Sequence, residues 1–217
     1  MLDYFSIKSP LRYVRSFFAV RARKIMFDYF FAEMNPENES RVLDLGVTPE
    51  SSLPESNLFE KLYPYKNQLV AASVEDASGA MRDFVGVRFI RIDAGRLPFA
   101  DKAFDILFCG AVLEHVGDHE DQKLFVSECV RVARRVFITT PNRFFPVDFH
   151  TFLPLVHWLP RRYHQAILRV LGYGFLSKTE NLNLLSAGRL KSLFEDGNIQ
   201  IRRFTLFGVT SNLVAHN

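Results

Sequence analysis

Acidic side chains follow three successive apolar runs of the chain, and each run has the length of a buried strand. Asp44 and Gly46 close the first run, Glu75 follows the second, and Asp93 follows the third. Carboxylates gathered without partners would repel one another and lose hydration. They are better explained as hydrogen-bond acceptors for a ligand. An acid after a second strand can accept from both hydroxyls of a ribose, and one after the third strand can accept from an exocyclic amine. Asp76 is an alternative to Glu75, since either of them could instead cap the next helix.

These acids need a scaffold that brings strand ends together, and the chain predicts one. Apolar runs alternate with helical periodicity, which indicates a parallel sheet covered by helices on both faces. Right-handed crossovers then place all the carboxyl ends of the strands at one edge. The predicted strands are 42–45, 68–74, 87–92, 104–109 and 136–140, and the predicted helices are 10–34, 53–63 and 121–133.

The C-terminal part adds a hairpin to this scheme. A helix is expected to begin after Ser186, a good N-cap, and to end before Gly197. Strands at 199–207 and 212–215 then pair across a turn at Gly208. The predicted fold class is therefore α/β, a Rossmann-like, doubly wound, seven-stranded sheet with an antiparallel C-terminal hairpin. Residues 1–40 form an N-terminal helix and linker, and residues 41–217 form the main domain.

The helices carry recognisable apolar faces. In the first helix the apolar positions are Leu11, Val14, Phe18, Ala22, Ile25 and Tyr29, with basic residues between them. These basic residues are either a solvated face or a contact with a membrane or an anionic substrate. In the helix at 121–133 the buried side is predicted to comprise Leu124, Phe125, Cys129 and Val132.

The ordered set of motifs resembles the class I S-adenosylmethionine-dependent methyltransferases, of the type 11-like group. It runs from Val-Leu-Asp-Leu-Gly at 42–46, through an acid after the second strand and Asp93 with Leu-Pro-Phe at 97–99, to Phe104-Asp105 and Leu-Glu-His-Val at 113–116. The match covers roughly residues 40–142 and resumes in the hairpin. No single motif is specific, but the ordered series is.

The resemblance implies a cofactor, S-adenosylmethionine, and a place for each matching residue. Asp44 and Gly46 would lie beside its methionine part, Glu75 would hold the ribose, and Asp93 would bind the adenine amine. Ala94 would lie beside the adenine ring, and Gly110 and Ala111 would lie under the sulfonium. Glu114 and His115 would lie at the mouth of the transfer site.

The loop after the first strand departs from the family pattern. The family has two or three glycines there, which allow the backbone to approach the methionine carboxylate. This chain keeps only Gly46, followed by Val47-Thr48-Pro49-Glu50. Either Thr48, Glu50 or Ser51 replaces the lost backbone contacts, or cofactor binding has been lost and the fold kept as a scaffold. The retained acids after the second and third strands favour a working site, in which Thr48 contacts the cofactor.

Methyl transfer requires mainly that the acceptor be aligned with the methyl group. A general base is needed where the acceptor must lose a proton. The candidates are His115 and His150, with Asn142 as a positioning group. An insertion at about 143–180, rich in aromatic residues and prolines, is predicted to cap the acceptor. Its apolar content and the pair Arg161-Arg162 favour a small-molecule, glycan or lipid-linked acceptor, with phosphate meeting the arginines and peripheral membrane contact left open.

Composition sets limits on other functions. The chain has 217 residues and is 48% hydrophobic, which is enough for a sizeable core. The net charge of +3 is too small, and the basic residues too dispersed, to favour nucleic acid. Cys109 and Cys129 lie in apolar patterns and are expected to be buried free thiols, as in a reducing compartment. We therefore expect a cytoplasmic protein, either free or peripheral to the membrane, and we predict no metal site.

Two rival functions remain at this level. One is a catalytically inactive methyltransferase-fold protein that acts as a binding or scaffold partner. The other is a dinucleotide oxidoreductase, which the absence of G-x-G-x-x-G and the terminal hairpin argue against. The oligomeric state is left unassigned.

Overall fold

The computed structural model describes residues 11–195 and 198–217. Its helices are α1 (Leu11–Met34), α2 (Leu58–Leu62), α3 (Ser78–Met81), α4 (His119–Val132), α5 (Arg161–Val170) and α6 (Ala187–Lys191). Its strands are β1 (Val42–Leu45), β2 (Leu69–Ser73), β3 (Arg88–Arg91), β4 (Phe104–Gly110), β5 (Ala133–Pro141), β6 (Gln200–Leu206) and β7 (Val209–His216). No helix in these described ranges is long and apolar enough to cross a bilayer.

The strands form one seven-stranded sheet in the order β3-β2-β1-β4-β5-β7-β6. β1 pairs in parallel with both β2 and β4, and β2 pairs in parallel with β3. β6 and β7 form an antiparallel hairpin with an irregularity between Phe204 and Thr205. The predicted doubly wound α/β fold with its C-terminal hairpin is confirmed.

The chain divides into two compact units, which are described separately. The sheet unit comprises residues 11–110 and 127–138 of the described chain, with β1 to β4 and most of β5. The hairpin unit comprises residues 111–126, 139–195 and 198–217.

The core of the sheet unit is built largely from phenylalanine. Phe30 of α1 is fully buried and meets the rings of Phe59, Phe108 and Phe137 edge to face, with centroids 5.1, 5.6 and 5.3 Å away. Phe59 and Phe108 are stacked at 4.1 Å. Edge-to-face and stacked pairs add stability beyond the area that they bury, so this cluster fixes α1 and α2 against β4 and β5.

The predicted apolar face of α1 needs a correction. Its buried stripe consists of Met26, Phe30 and Met34, while Ile25 is exposed. The stripe follows a strict four-residue step, so Ile25 falls one position off the core side. Pro10 and the side chains of Leu11 and Val14 lie outside what the structure describes.

Two further helix predictions are adjusted by the structure. Residues 53–57 form turns, and only Leu58–Leu62 is helical in the segment predicted at 53–63. In α4, Leu124 is exposed, and the first buried position is instead Gln122. The amide of Gln122 is tolerated there because its Nε2 donates to the carbonyls of Leu113 and Asn183, at 3.0 and 3.2 Å. Cys109 and Cys129 are buried free thiols, as predicted.

In the hairpin unit, α6 begins as expected. Ser186 Oγ accepts a hydrogen bond from the backbone N–H of Arg189 at 3.3 Å, which satisfies one donor of the first turn. The helix ends at Lys191, and the predicted stop at Gly197 lies outside the described residues.

Candidate active site

Two carboxylates lie exposed at neighbouring strand ends of the sheet unit. Glu75 follows β2 and Asp93 follows β3, and these strands are parallel partners. The backbone holds the two ends together, because Ile92 N donates to Ser73 O at 2.9 Å. Within the described residues neither carboxylate makes a hydrogen bond or an ion pair. Both remain available to accept hydrogen bonds from a ligand.

The neighbouring acid, Asp76, is engaged in a hydrogen bond within its own turn. Its carboxylate accepts from Ser78 N at 3.0 Å in the turn before α3. Hydrogen bonds from Ser78 hold the pKa of Asp76 below its usual value. This geometry favours Glu75 over Asp76 as the ribose ligand.

Asp44, at the end of β1, is turned into the core. Only 5% of the residue is exposed, and its carboxyl shares a hydrogen bond with the buried carboxyl of Glu60. Burial raises the pKa of Asp44 well above its usual value, and the charge of Glu60 raises it further, while Arg23 opposes the shift. Asp44 therefore keeps its proton beyond the pH at which a free aspartate ionises, and its side chain is engaged within the unit.

The altered loop after β1 is closed by an asparagine that the sequence analysis missed. Thr48 N donates to Asn57 Oδ1 at 3.0 Å, and Asn57 Nδ2 donates back to Thr48 O at 2.9 Å. Gly46 takes a φ of 108°, a conformation that favours glycine, and its N–H donates to Ala72 O. Glu50 N and Ser52 N are bonded to side chains of the loop itself. The backbone donors that a glycine-rich loop would offer to a carboxylate are thus largely occupied here.

The remaining predicted cofactor residues flank β3 and β4. Ala94 is exposed directly after Asp93. Gly110 is the last residue of β4, and Ala111 after it has a left-handed backbone with φ 58°. Ala111 N donates to Thr139 O at 3.0 Å. Left-handed alanine is unfavourable, and such residues concentrate at functional sites.

In the hairpin unit the two candidate histidines come together. The rings of His115 and His150 are edge to face with centroids 5.0 Å apart. Between them lies Glu114, fully buried, whose Oε1 is 4.0 Å from His150 Nε2. Thr140 Oγ1 donates to the other carboxylate oxygen, Oε2, at 3.0 Å. Glu114 and His115, which follow β4, therefore form one cluster of titratable groups with His150 of the insertion.

His150 is oriented by Asp148, another residue that the sequence analysis passed over. His150 Nδ1 is 3.0 Å from Asp148 Oδ1, and Thr151 Oγ1 donates to Oδ2 at 2.6 Å. Burial by itself would raise the pKa of Asp148, but the hydrogen bonds and charge of His150 and the bond from Thr151 outweigh it. The pKa of this carboxyl therefore lies well below its usual range. The signal in the sequence was Asp-x-His-Thr at 148–151.

Comparison with known proteins agrees with this geometry. The family model described as a methyltransferase domain matches residues 62–136. That segment contains Glu75, Asp93 and the Glu114-His115 pair. Residues 62–136 match a methyltransferase domain, and the fold is that of the class I methyltransferases. S-adenosylmethionine is the cofactor that this family uses.

Solved methyltransferase structures share the fold at low sequence identity. A SAM-dependent methyltransferase from Aquifex aeolicus has a TM-score of 0.56 at 13% identity, covering 91% of this chain and 97% of its own. The YcgJ protein from Bacillus subtilis gives 0.55 at 17% identity, covering 84% and 71%. The N-methyltransferase NodS from Bradyrhizobium japonicum WM9, solved with S-adenosyl-L-homocysteine, gives 0.55 at 14% identity, covering 89% and 85%. A search of curated protein sequences gives no significant match.

The residues of this chain fit S-adenosylmethionine unequally along the length of the cofactor. The exposed, unpaired carboxylates of Glu75 and Asp93 suit the hydroxyls and amine of an adenosine. At the methionine end, the buried Asp44 and the self-bonded loop at 46–57 offer fewer groups. The residues present therefore support binding of the adenosine part of the cofactor better than binding of its methionine part.

Asn142 is tied to the hairpin. Its Nδ2 donates to Thr210 O and its N–H to Ser211 O, both at 2.8 Å, while Oδ1 accepts from Phe144 N at 3.3 Å. Both ends of the amide are engaged, so these hydrogen bonds fix the chain after β5. Its role as a positioning group for the acceptor stays a prediction.

A basic cavity lies in the hairpin unit, largely within the insertion. It is lined by Arg143, His157, Arg161, His164, Gln165 and Asn183, among others. Burial lowers the pKa of Arg143, and the charges of Arg161 and Arg189 lower it further. His157 Nε2 donates to Phe145 O at 2.8 Å, which leaves its buried Nδ1 without a partner in the described chain. The guanidinium groups of Arg143 and Arg161, which line this cavity, suit an anion.

Proposed function

We propose that the chain is an S-adenosylmethionine-dependent methyltransferase whose acceptor is lipid-linked and carries an anionic group. The observation that carries the enzyme proposal is the pair of exposed carboxylates, Glu75 and Asp93, at the ends of β2 and β3. In this proposal Glu75 accepts from the ribose hydroxyls and Asp93 from the adenine amine, with Ala94 beside the ring. Gly46, Thr48, Gly110 and Ala111 provide backbone for the rest of the cofactor.

When bound, S-adenosylmethionine supplies an activated methyl group. The protein then has to align the acceptor and accept the proton that the acceptor loses. A hydroxyl acceptor must lose that proton as its oxygen bonds to the methyl carbon. His150 suits this task because Asp148 fixes its ring, and His115 lies beside it. The proton passes to an imidazole Nε2 in this proposal.

Calorimetric titration with S-adenosylmethionine and S-adenosylhomocysteine tests cofactor binding. Glu75→Ala and Asp93→Ala should each weaken binding at least tenfold, which is about 1.4 kcal/mol. Asp76→Ala is the matched control, because that acid is adjacent but engaged with Ser78, and binding should stay close to that of the wild type. If the wild type binds neither molecule at millimolar concentration, the enzyme proposal is wrong.

A scaffold function is the second candidate, and the loop after β1 is the observation that favours it. Asn57 and Glu50 occupy backbone donors that a cofactor carboxylate would need. A scaffold protein would show no heat of binding in the same titration. It would also leave stability unchanged when either cofactor molecule is added, whereas a binder is stabilised by mass action.

The basic cavity supports an anionic acceptor. Arg161 lines the cavity, while Arg162 stacks on the ring of Tyr163 with its guanidinium carbon 4.6 Å from the centroid. Only the first of the two arginines singled out in the sequence therefore faces this site. Binding of inorganic phosphate, followed by NMR, should weaken in Arg143→Gln and Arg161→Gln and persist in Arg162→Gln. Equal binding by all three variants would remove the cavity from the proposal.

Exposed apolar residues of the insertion support the lipid-linked character of the acceptor. They share large exposed side chains and lie in the segment 144–175, which also contains the arginines of α5: Phe144, Leu155, Trp158, Tyr163, Val170, Leu171 and Phe175. Such a surface, with basic residues interspersed, suits an anionic bilayer.

Trp158 gives this proposal a direct readout, since it is the one tryptophan of the chain and is 45% exposed. Vesicles with 30% anionic phospholipid should shift its fluorescence to the blue and carry the protein in flotation. Leu155→Ser together with Leu171→Ser should weaken that binding. Val85→Ser is the control, because Val85 is an exposed apolar residue of the sheet unit. An unchanged spectrum with vesicles excludes the membrane contact.

A further inference from the structure

The cluster around Glu114 contains an oxygen that the protein leaves unused. Glu114 Oε1 is buried and has no hydrogen-bond partner among the described residues, although Oε2 accepts from Thr140. A buried carboxylate oxygen without a partner is costly. Its nearest titratable neighbours are two imidazoles, with ligand atoms of Glu114, His115 and His150 all within 4.8 Å of one another.

The surroundings of the two histidines fix which nitrogen faces the cluster. His115 Nδ1 is 2.8 Å from Asn181 O, and a carbonyl can only accept, so Nδ1 carries the proton. His150 Nδ1 is paired with Asp148 Oδ1 at 3.0 Å. In both rings Nε2 is then the candidate ligand atom for a metal ion. An imidazole that donates its other N–H to a carbonyl or carboxylate is the usual arrangement around a bound metal.

We propose that Glu114, His115 and His150 bind a divalent transition metal ion, with zinc as the best match. Two imidazoles and one carboxylate are the protein ligands of several catalytic zinc sites, which keep a fourth position open for water or substrate. Asp148 and Asn181 serve as the outer partners that orient the imidazoles. The metal would occupy the same nitrogens that otherwise serve as bases, and binding requires neither S-adenosylmethionine nor an acceptor.

The spacing indicates how the ligands move on binding. Bond lengths near 2.1 Å to a tetrahedral ion put ligand atoms roughly 3.4 Å apart, whereas His150 Nε2 and Glu114 Oε1 are 4.0 Å apart. Glu114 and His150 are buried and His115 is exposed. His115 is therefore the ligand expected to swing inward.

Cobalt provides the test, because a four-coordinate Co²⁺ site has visible absorption bands. Tag-free protein is stripped with EDTA, titrated with Co²⁺ and then challenged with Zn²⁺. We expect one equivalent of Co²⁺, a visible spectrum of low-coordinate type, and its loss when Zn²⁺ is added. His115→Ala and His150→Asn should each weaken binding at least tenfold, and Asp148→Asn should weaken it 10- to 100-fold through ring orientation.

His119→Asn is the control, since His119 lies in the same unit but outside the cluster. His115 is exposed, so its alanine variant should fold, as circular dichroism can verify, and it keeps the proposal testable if Glu114 or His150 variants do not fold. Absence of a Co²⁺ equivalent in the wild type, or the same affinity in His115→Ala and His119→Asn, overturns the metal site. The methyltransferase proposal is tested separately by cofactor titration and survives that result.

Discussion

The carboxyl of Asp44 shares a hydrogen bond with the carboxyl of Glu60 inside the sheet unit. Two carboxyls can bond in this way only when one of them carries a proton. Asp44, which marks the end of the first predicted strand in the sequence, is therefore held by Glu60 in the folded chain.

This pair predicts a specific dependence of stability on pH. The pKa of Asp44 is raised in the folded chain above its ordinary value of 3.8, mainly by burial. Above that pH the folded state binds more protons at this site than the unfolded state, so its contribution to the free energy of unfolding falls as pH rises through the folded-state pKa. Asp44→Asn cannot titrate, so its stability relative to the wild type should increase in urea unfolding as the pH rises above 3.8 through the folded-state pKa of Asp44. Asp28→Asn, at an exposed site, should show no such trend; a flat difference for both variants contradicts the shared proton.

Asn57 should be the residue that holds the altered loop together. Asn57→Ala removes both hydrogen bonds to the backbone of Thr48 and should lower the free energy of unfolding by about 1–3 kcal/mol. Asn57 has a left-handed backbone with φ 49°, as does the exposed Asn35 with φ 40°. Asn35→Ala therefore isolates the backbone effect, and equal losses in the two variants would show that the clamp contributes nothing.

Arg131 should fix the Leu-Pro-Phe segment rather than serve the chemistry. Its guanidinium donates to Leu97 O at 2.9 Å and Phe99 O at 2.8 Å, and it also pairs with Glu128 and Asp101. Arg131→Ala should lower the unfolding midpoint and increase hydrogen exchange at 96–101, because the carbonyls of Leu97 and Phe99 lose their donor. Arg134→Ala removes only an exposed pair with Asp105 and should change neither. A loss of activity in Arg131→Ala without loss of stability would contradict this assignment.

The left-handed backbone at Ala111 predicts that glycine is preferred there. Ala111→Gly should raise the free energy of unfolding by up to about 1 kcal/mol, because glycine adopts φ 58° without a steric penalty. The same change at Ala100, whose φ is not positive, should be destabilising or neutral. Thermal unfolding of both variants measures the contrast. If Ala111→Gly gains stability but loses turnover, the strained alanine serves the reaction.

β1 could be predicted from the sequence because its burial is complete. All four residues of β1 are buried, and its bounds agree with the predicted 42–45. The prediction that Leu124 is buried was wrong, because an apolar residue on a helix can also face solvent. Gln122 takes the buried position instead, since two backbone carbonyls satisfy its amide.

The candidate site was only partly accessible from sequence. Glu75 and Asp93 are identified by their positions after strands, which is local information. The contact of His150 with Glu114 depends on how the insertion returns, and no local pattern encodes that path. Asn57 and Asp148 were missed for the same reason: each acts through hydrogen bonds whose value appears only once the loop is closed.

The aromatic cluster of the sheet unit also has a consequence for folding during synthesis. Phe30 is synthesised before its partner Phe137, which leaves the ribosome only after roughly 100 further residues, or about 5–20 s at ordinary rates of synthesis. During that interval Phe30 lacks the ring of Phe137, although the rings of Phe59 and Phe108 emerge sooner. The aromatic cluster is therefore expected to close only after β5 has emerged.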